Sequence, residues 1–324
     1  MSIILWETLP IILLVLTAIS VVGCNQEKKN DLQEAKLKGK VKSVSQKVYK
    51  GSEKFGEVQK DSAFCGLFNA ECNTTYYNEF GNKTAVEYET YFLGKEVFTY
   101  DVNQFLVTIE HFDQKGKLKQ KGIYLNNEIG KPFEMNTYEG VEGTFDSKKT
   151  MKYDAKNNVI ETCKYDANGN LKTKEECKYD EKENLIEKRI TNSEVGYIYE
   201  DGKIVEEPLS EKYTYLYDEK GNKIEENIYK DNNILHEKWT FKYDNKGNQI
   251  EQQLFSNKDN IKAILEYDSE GNPIKKSFLD NFGDIFLVVT SSYTYDKYKN
   301  WIRHIIYKNK KIERIVEREI EYYE

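Results

Sequence analysis

A six-residue phrase, Tyr-Asp-x-x-Gly-Asn, punctuates this chain and sets what it can fold into. It reads Tyr165-Asp166-Ala167-Asn168-Gly169-Asn170 and returns from Tyr217, Tyr243 and Tyr267. Each copy is the chemistry of a tight turn. The Asp side chain accepts hydrogen bonds from backbone N–H groups two or three residues on, and Gly supplies the positive φ that closes a type I turn with a bulge. The phrase therefore ends one strand and begins the next. A chain so punctuated is an all-β antiparallel meander, and no long helical stripe competes with that reading.

Variants test the account. Asn157 stands in the Gly position of Asp154–Asn158, and Asn tolerates the left-handed region. Glu183 and Lys299 stand there in Asp180–Asn184 and Asp296–Asn300, so those turns should be strained or of another type. Turns at Asp218, Asp244, Asp268 and Asp296 alternate with looser ones near Asp231, Asn257, Asp280 and Lys308. Two strands then fit each stretch of about 24 to 28 residues, a hairpin repeat.

Alternation assigns the faces. Leu235, Glu237, Trp239, Phe241 and Tyr243 share one side, and Ile234, His236, Lys238, Thr240 and Lys242 the other. Ile261, Ala263, Leu265 and Tyr267 form a second apolar set. Ile285, Leu287, Val289, Ser291, Tyr293 and Tyr295 form a third, and Ile312, Val316, Ile320 and Tyr322 a fourth. With no helices to cover it, an apolar sheet face must be hidden by the sheet itself. The expected fold is one strongly coiled sheet, rolled or folded on itself. Residues 151–324 are its regular part and 41–150 a looser part of the same repeat domain, with degenerate turns at Asn78–Asn82 and Asp113–Lys117. The stretch Asn126 to Ser147, with Gly130, Pro132, Gly140 and Gly143, is the expected excursion. Edge strands at the two ends would be free to pair with a second copy.

The N-terminus reads differently. Ile11 to Val22 is an apolar run ending in Val21-Val22-Gly23-Cys24. It is short for a membrane span and suits the core of a signal helix with a small-residue cleavage site. It resembles a bacterial lipoprotein signal, residues 1–23, which implies that Cys24 becomes the acylated first residue (a palmitate-type anchor). The stretch before the run departs from that pattern, carrying Glu7 and no Lys or Arg; an uncleaved anchor is the alternative. Residues 24–40 read as a polar tether or a solvated first helical turn. Loss of Glu7 takes the formal net charge from −7 to −6, which argues against a nucleic-acid partner.

Taken together, the Tyr-Asp-x-x-Gly-Asn series resembles the YD repeats of RHS-type cell-surface proteins. Leu37–Val44 and Tyr295–Trp301 resemble parts of small YD-repeat lipoproteins of Bacteroidetes-like bacteria. The resemblance runs from Leu37 to the C-terminus and implies an envelope protein, anchored in the outer membrane and associated with carbohydrate.

Few residues suggest chemistry. Cys65 and Cys72 flank a short turn-like stretch and are a candidate disulfide; spacing alone leaves the pairing open. Cys163 and Cys177 occupy matching repeat positions, and centring the hairpin on Asn168-Gly169 puts Cys163 opposite Lys174. They are expected to be unbonded. His111, His236 and His304 sit in no nucleophile pattern, and His236 and His304 fall on polar strand faces. One Asp per turn is too few oxygens for calcium, and no zinc spacing occurs, so no metal, cofactor or catalytic residue is assigned. Trp239 and Trp301 could stack on sugars, but their parity places them with the core. The rim tyrosines, among 25 in all, suit a glycan or simply a half-exposed strand. Asp61-Ser62-Ala63 resembles a Bacteroidetes O-glycosylation sequence, and Asn73 and Asn82 sit in Asn-x-Thr sequons. The expected function is a non-catalytic binding or scaffold module, for carbohydrate or another envelope protein. Two alternatives are an immunity or accessory protein of a contact-dependent toxin, and an envelope hydrolase with a carboxylate pair about 5 to 9.5 Å apart.

Overall fold

Strands follow one another with hardly a break, as the turn series demands. The computed structural model describes residues 30–63, 65, 71–89, 94–193, 195–200, 203–208, 210–230, 234–256 and 260–324. The expected signal segment, residues 1–23, and Cys24 lie outside them. Among the described residues the single helix is one turn, Asp31–Glu34, and none is long and apolar enough to cross a membrane. The rest is a 21-stranded antiparallel sheet plus a separate two-stranded hairpin, Val195–Glu200 with Lys203–Pro208.

The sheet closes. From Asn73 onward each strand pairs with its predecessor and successor, and the inserted hairpin is passed over where Leu185–Asn192 pairs with Glu211–Tyr217. The first strand, Val41–Lys54, then joins the two ends. It pairs through Val41–Lys50 with Tyr322–Arg314 of the last strand and through Ser43–Gln46 with Tyr76–Asn73. Glu57–Ala63 pairs with the first strand alone, so twenty strands form the ring. The expected free edges at the two ends are therefore absent: those strands satisfy each other's N–H and C=O groups.

The repeated turn closes hairpins on both rims and recurs most regularly on one of them. In each copy the first residue's N–H donates to the carbonyl of the fifth, and the fourth residue's N–H donates back to the first, as in Asp218–Asn222 at 2.9 and 3.1 Å. The Asp carboxylate accepts from the N–H groups two and four residues on, not two or three. Glu183 and Lys299 keep this same turn at φ 66 and 65, so they are strained copies, not another type. Asp280–Asp284 is also a full copy, not a looser turn, while positions 231–233 and 257–259 lie outside the described residues. Asn126 to Ser147 is no excursion. Gly130, Gly140 and Gly143 adopt positive φ in turns of two ordinary hairpins; the departure from the ring is the hairpin between Asn192 and Glu211.

Adjacent strands alternate direction, so every second turn falls on the same rim. There the motif tyrosines stitch neighbouring hairpins together. Tyr179, Tyr217, Tyr243 and Tyr267 donate to the carbonyls of Val159, Leu185, Lys223 and Gln249, each the residue after the preceding turn on that rim, at 2.7–2.9 Å. Their hydroxyls are spent on structure, in keeping with the half-exposed-strand alternative. The segment 30–40 completes the belt. Asn30 donates to the Phe80 carbonyl, Asp31 accepts from Lys83 N–H, and Lys38 exchanges two bonds with Asn300. With Leu32 buried at 8% exposure, this part of the tether is docked.

The two faces differ in kind. Outward, Glu161 sits between Lys152 and Lys174, Glu251 between Lys242 and Lys262, and Glu187 among Lys178, Arg189 and Lys212. The carboxylates are half-buried, but their cation partners stay in contact with solvent, so each pair contributes little. Inward lie Tyr, Trp, Phe and Leu, and there burial is the leading influence on ionisation. It raises Tyr124, Tyr215 and Tyr243 and lowers Lys276. Two small cores form at the seam. One is Leu32, Val41, Val44 and Tyr77; the other is Val48, Cys72 and Val316, with Cys65 and Trp301 against it.

Cys65 and Cys72 are bonded, with Cα atoms 5.5 Å apart, and Cys163 and Cys177 are free. Cys163 does lie opposite Lys174. The bridge closes an eight-residue loop onto the seam, so the chain-entropy cost removed from the unfolded state is about 2.5 kcal/mol. The double variant Cys65→Ala/Cys72→Ala should lose about that much in denaturant unfolding; a loss under about 1 kcal/mol would contradict this role.

Candidate functional site

The inner face beside the seam gathers the groups with unusual surroundings. Ser291 and Tyr293 come from Ile285–Tyr295, Trp301 and His304 from Trp301–Lys308, Arg318 from Lys311–Tyr322, and Gln46 from the first strand. Register brings them together. Tyr293 pairs with His304, His304 with Val316, and Gln46 with Arg318.

His304 corrects the sequence reading, which placed it on a polar face. Counting parity from Trp301 puts His304 on the opposite side. The bulge at Tyr295/Trp301 adds one residue, Ile302, and returns His304 to the inner face. Its ring stacks on Tyr293 at 4.3 Å and 19°, and its Nε2 lies 2.9 Å from Ser291 Oγ. Burial first, then the positive charges of Arg314 and Arg318, push its pKa down to about 4, so it is neutral at pH 7.

Arg318 is the odd charge. Its guanidinium carbon lies 3.4 Å from the centroid of the Trp301 ring, a cation–π contact, and its Nε donates to Gln46 Oε1 at 2.8 Å. Among the described residues no carboxylate lies within ion-pair distance of it, whereas Arg314 pairs with Glu71 at 2.7 Å. Burial pulls the Arg318 pKa down to about 10. Lys276, over the Phe278 ring at 4.9 Å, is a second inward cation lowered by burial.

The other singled-out residues are dispersed. His111 Nδ1 meets Glu96 at 3.2 Å, and His236 lies near Glu237 at 3.6 Å. Trp239 donates from Nε1 to Glu237. Trp301 packs on the disulfide core with Arg318 over its ring, so it is not an open sugar platform. Among the described residues no group of three or more His, Cys, Asp or Glu could hold a metal ion. Two open depressions, about 460 and 590 Å³, lie toward the opposite rim. One includes Asp146, Lys164 and Asp166, the other Glu87, Tyr88 and Asp113. They do not coincide with the Arg318 cluster, and their charges are largely matched: Asp166 with Lys172, Glu87 with Lys95, Asp113 with Lys119. The cluster, where charge is unmatched, is the better candidate. Sequence reasoning passed over Arg318; its one signal was a cation at an inward parity position beside Val316 and Ile320.

No family model and no curated protein matches the chain. Among solved structures it is similar to TcdB2-TccC3-TEV, at 12% identity and TM-score 0.30, over 75% of this chain and 16% of that one. A Tc holotoxin pore of Photorhabdus luminescens gives 13% and 0.33, over 72% and 15%. A porin-like protein of Bacteroides uniformis gives 9% and 0.37, over 87% and 98%. The chain spans about a sixth of the length of the toxin chains. Likenesses this low carry no argument about activity or partner.

Proposed function

We propose that this chain is a YD-repeat-type lipoprotein of a bacterial envelope, acylated at Cys24 and serving as a non-catalytic binding module for carbohydrate or another envelope protein. The observation that supports it best is the closed, disulfide-stapled wall with an aromatic inner face carrying cations that no acid among the described residues pairs with. Such a wall presents a preorganised surface at little ordering cost. The non-catalytic part is favoured by the acids. Among the described residues, each carboxylate whose pKa departs from the ordinary range departs downward, as Glu87, Asp166 and Glu251 do. A general acid for glycoside hydrolysis needs the opposite. Asn30, where the described chain enters the Asp-turn rim, is six residues beyond Cys24, so an anchor there would hold that rim toward the bilayer.

Intact-mass analysis of the native membrane form should show an acylated Cys24 as the first residue. A glycan array and a pull-down with the purified chain should then return a ligand. An unmodified N-terminus would overturn the anchor. Turnover of a defined substrate, abolished by one point change, would overturn the non-catalytic reading.

A further inference from the structure

We infer that the inner face at the seam holds an oxyanion site, built around Arg318 and backed by Trp301, that takes a carboxylate- or sulfate-bearing ligand. The inference deepens the binding-module reading by naming the ligand chemistry, and rests on it only for the biological source of the anion.

A guanidinium carries five N–H donors. In Arg318 one is committed, Nε to Gln46, and its plane is fixed by Trp301 on one side. The two terminal nitrogens have no hydrogen-bond partner among the described residues, and the residue is half-buried, not fully enclosed. A planar fork held in one orientation, with its terminal donors uncommitted, matches the two oxygens of a carboxylate or sulfate. The surroundings add to this. Neutral His304 and the Ser291 hydroxyl bring polarity without negative charge, and Tyr77 and Tyr293 bring low-dielectric walls. A desolvated cation beside aromatic rings gains more from an anion than a solvated one does. Partial compensation by the Trp301 ring lets the fold tolerate the charge when the site is empty. The outer face lacks this feature, because its Lys and Arg residues meet Glu at close range, as Lys152, Lys174 and Arg189 do.

The test uses the full chain and three probes at matched ionic strength: D-glucuronate, its neutral counterpart D-glucose, and inorganic sulfate. Glucuronate and sulfate should raise the unfolding temperature in a saturable way, glucose should not, and Arg318→Gln should weaken the anion response at least tenfold. Because that variant removes a strained charge, it should unfold no earlier than the parent without anion. Should Arg318→Gln fail to fold, a second measurement decides: tryptophan fluorescence of the Trp6→Phe/Trp239→Phe chain reports the Trp301 ring, and anions should change it saturably while glucose does not. Equal responses to glucose and glucuronate, or an unaltered anion response in Arg318→Gln, would overturn the site. Response to sulfate alone would assign a sulfated ligand, and to glucuronate alone a uronic acid. The outcomes separate from those for the module as a whole: glycan-array binding that survives Arg318→Gln sinks this site and leaves the binding function standing.

Discussion

Replacing Ile315 with alanine is expected to cost about 3 kcal/mol of stability, more than any other single side-chain truncation in the wall. Ile315 is fully buried, and it sits where the ring is joined. Its strand pairs on one side with Ile305 and on the other with Tyr49. Across the seam, Gly51 comes so close that a methyl built on it would fall 2.2 Å from Ile312 Cγ2 and 3.2 Å from Ile315. The backbone is thus pinned against this side chain, and a cavity there cannot collapse cheaply. Elsewhere most side chains of the wall, on either face, are only half-buried, so their truncation removes less. Ile285→Ala, at a position 59% exposed, should cost under about 0.5 kcal/mol. Chemical denaturation of both variants checks the contrast. Equal losses would mean that closure is not where the stability resides.

A second large effect should appear on acidification. An unfolded histidine takes up a proton near pH 6.5, but folded His304 resists until about pH 4. Between those values the unfolded chain binds more protons, so the contribution is whole above pH 6.5 and drains away as the pH falls toward 4. The loss reaches at most about 3 kcal/mol. The turn carboxylates, such as Asp218 and Asp244, have lowered pKa values, so their contribution is held through this window and lost further down. His304→Phe keeps a ring against Tyr293 and removes the titration. Its stability should be flat from pH 6.5 to about 5.5, above the range where Glu87 and Glu251 take up protons, whereas the parent's already slopes there. An identical slope in both proteins would assign the acid sensitivity to another group.

Turn chemistry made much of this architecture legible beforehand. Asp, Gly and Asn at fixed offsets foretold the hairpins, and within single strands the face assignments around Phe241, Ala263 and Tyr293 hold. What escaped was counting across a turn. Every motif copy carries a bulge beside its tyrosine, as at Tyr243 and Tyr267, so parity carried from one strand to the next slips by one. That slip hid His304. Closure escaped for another reason: pairing of Val48 with Val316 joins residues at opposite ends of the sequence, and no local pattern encodes such a partner. The inserted hairpin at 195–208 is two short β-strands in antiparallel register like those of the wall, so its strand pattern does not mark it as a separate sheet. The Arg318 site was invisible because its meaning lies in the lack of a carboxylate beside it among the described residues, and absence of a neighbour is a property of three-dimensional packing.

The tyrosine stitches carry a consequence for how such a wall can change its girth. Each tie spans one whole hairpin, so the unit of growth is a pair of strands. Adding or deleting a pair leaves every other tie intact. Adding a lone strand would carry the next aspartate to the far side and leave its tyrosine without a carbonyl to reach. The tie from Tyr217 to Leu185 survives the hairpin interposed between them because that hairpin leaves and returns on the side away from the stitched rim. Novelty should therefore accumulate on the unstitched side, while circumference moves only in even steps.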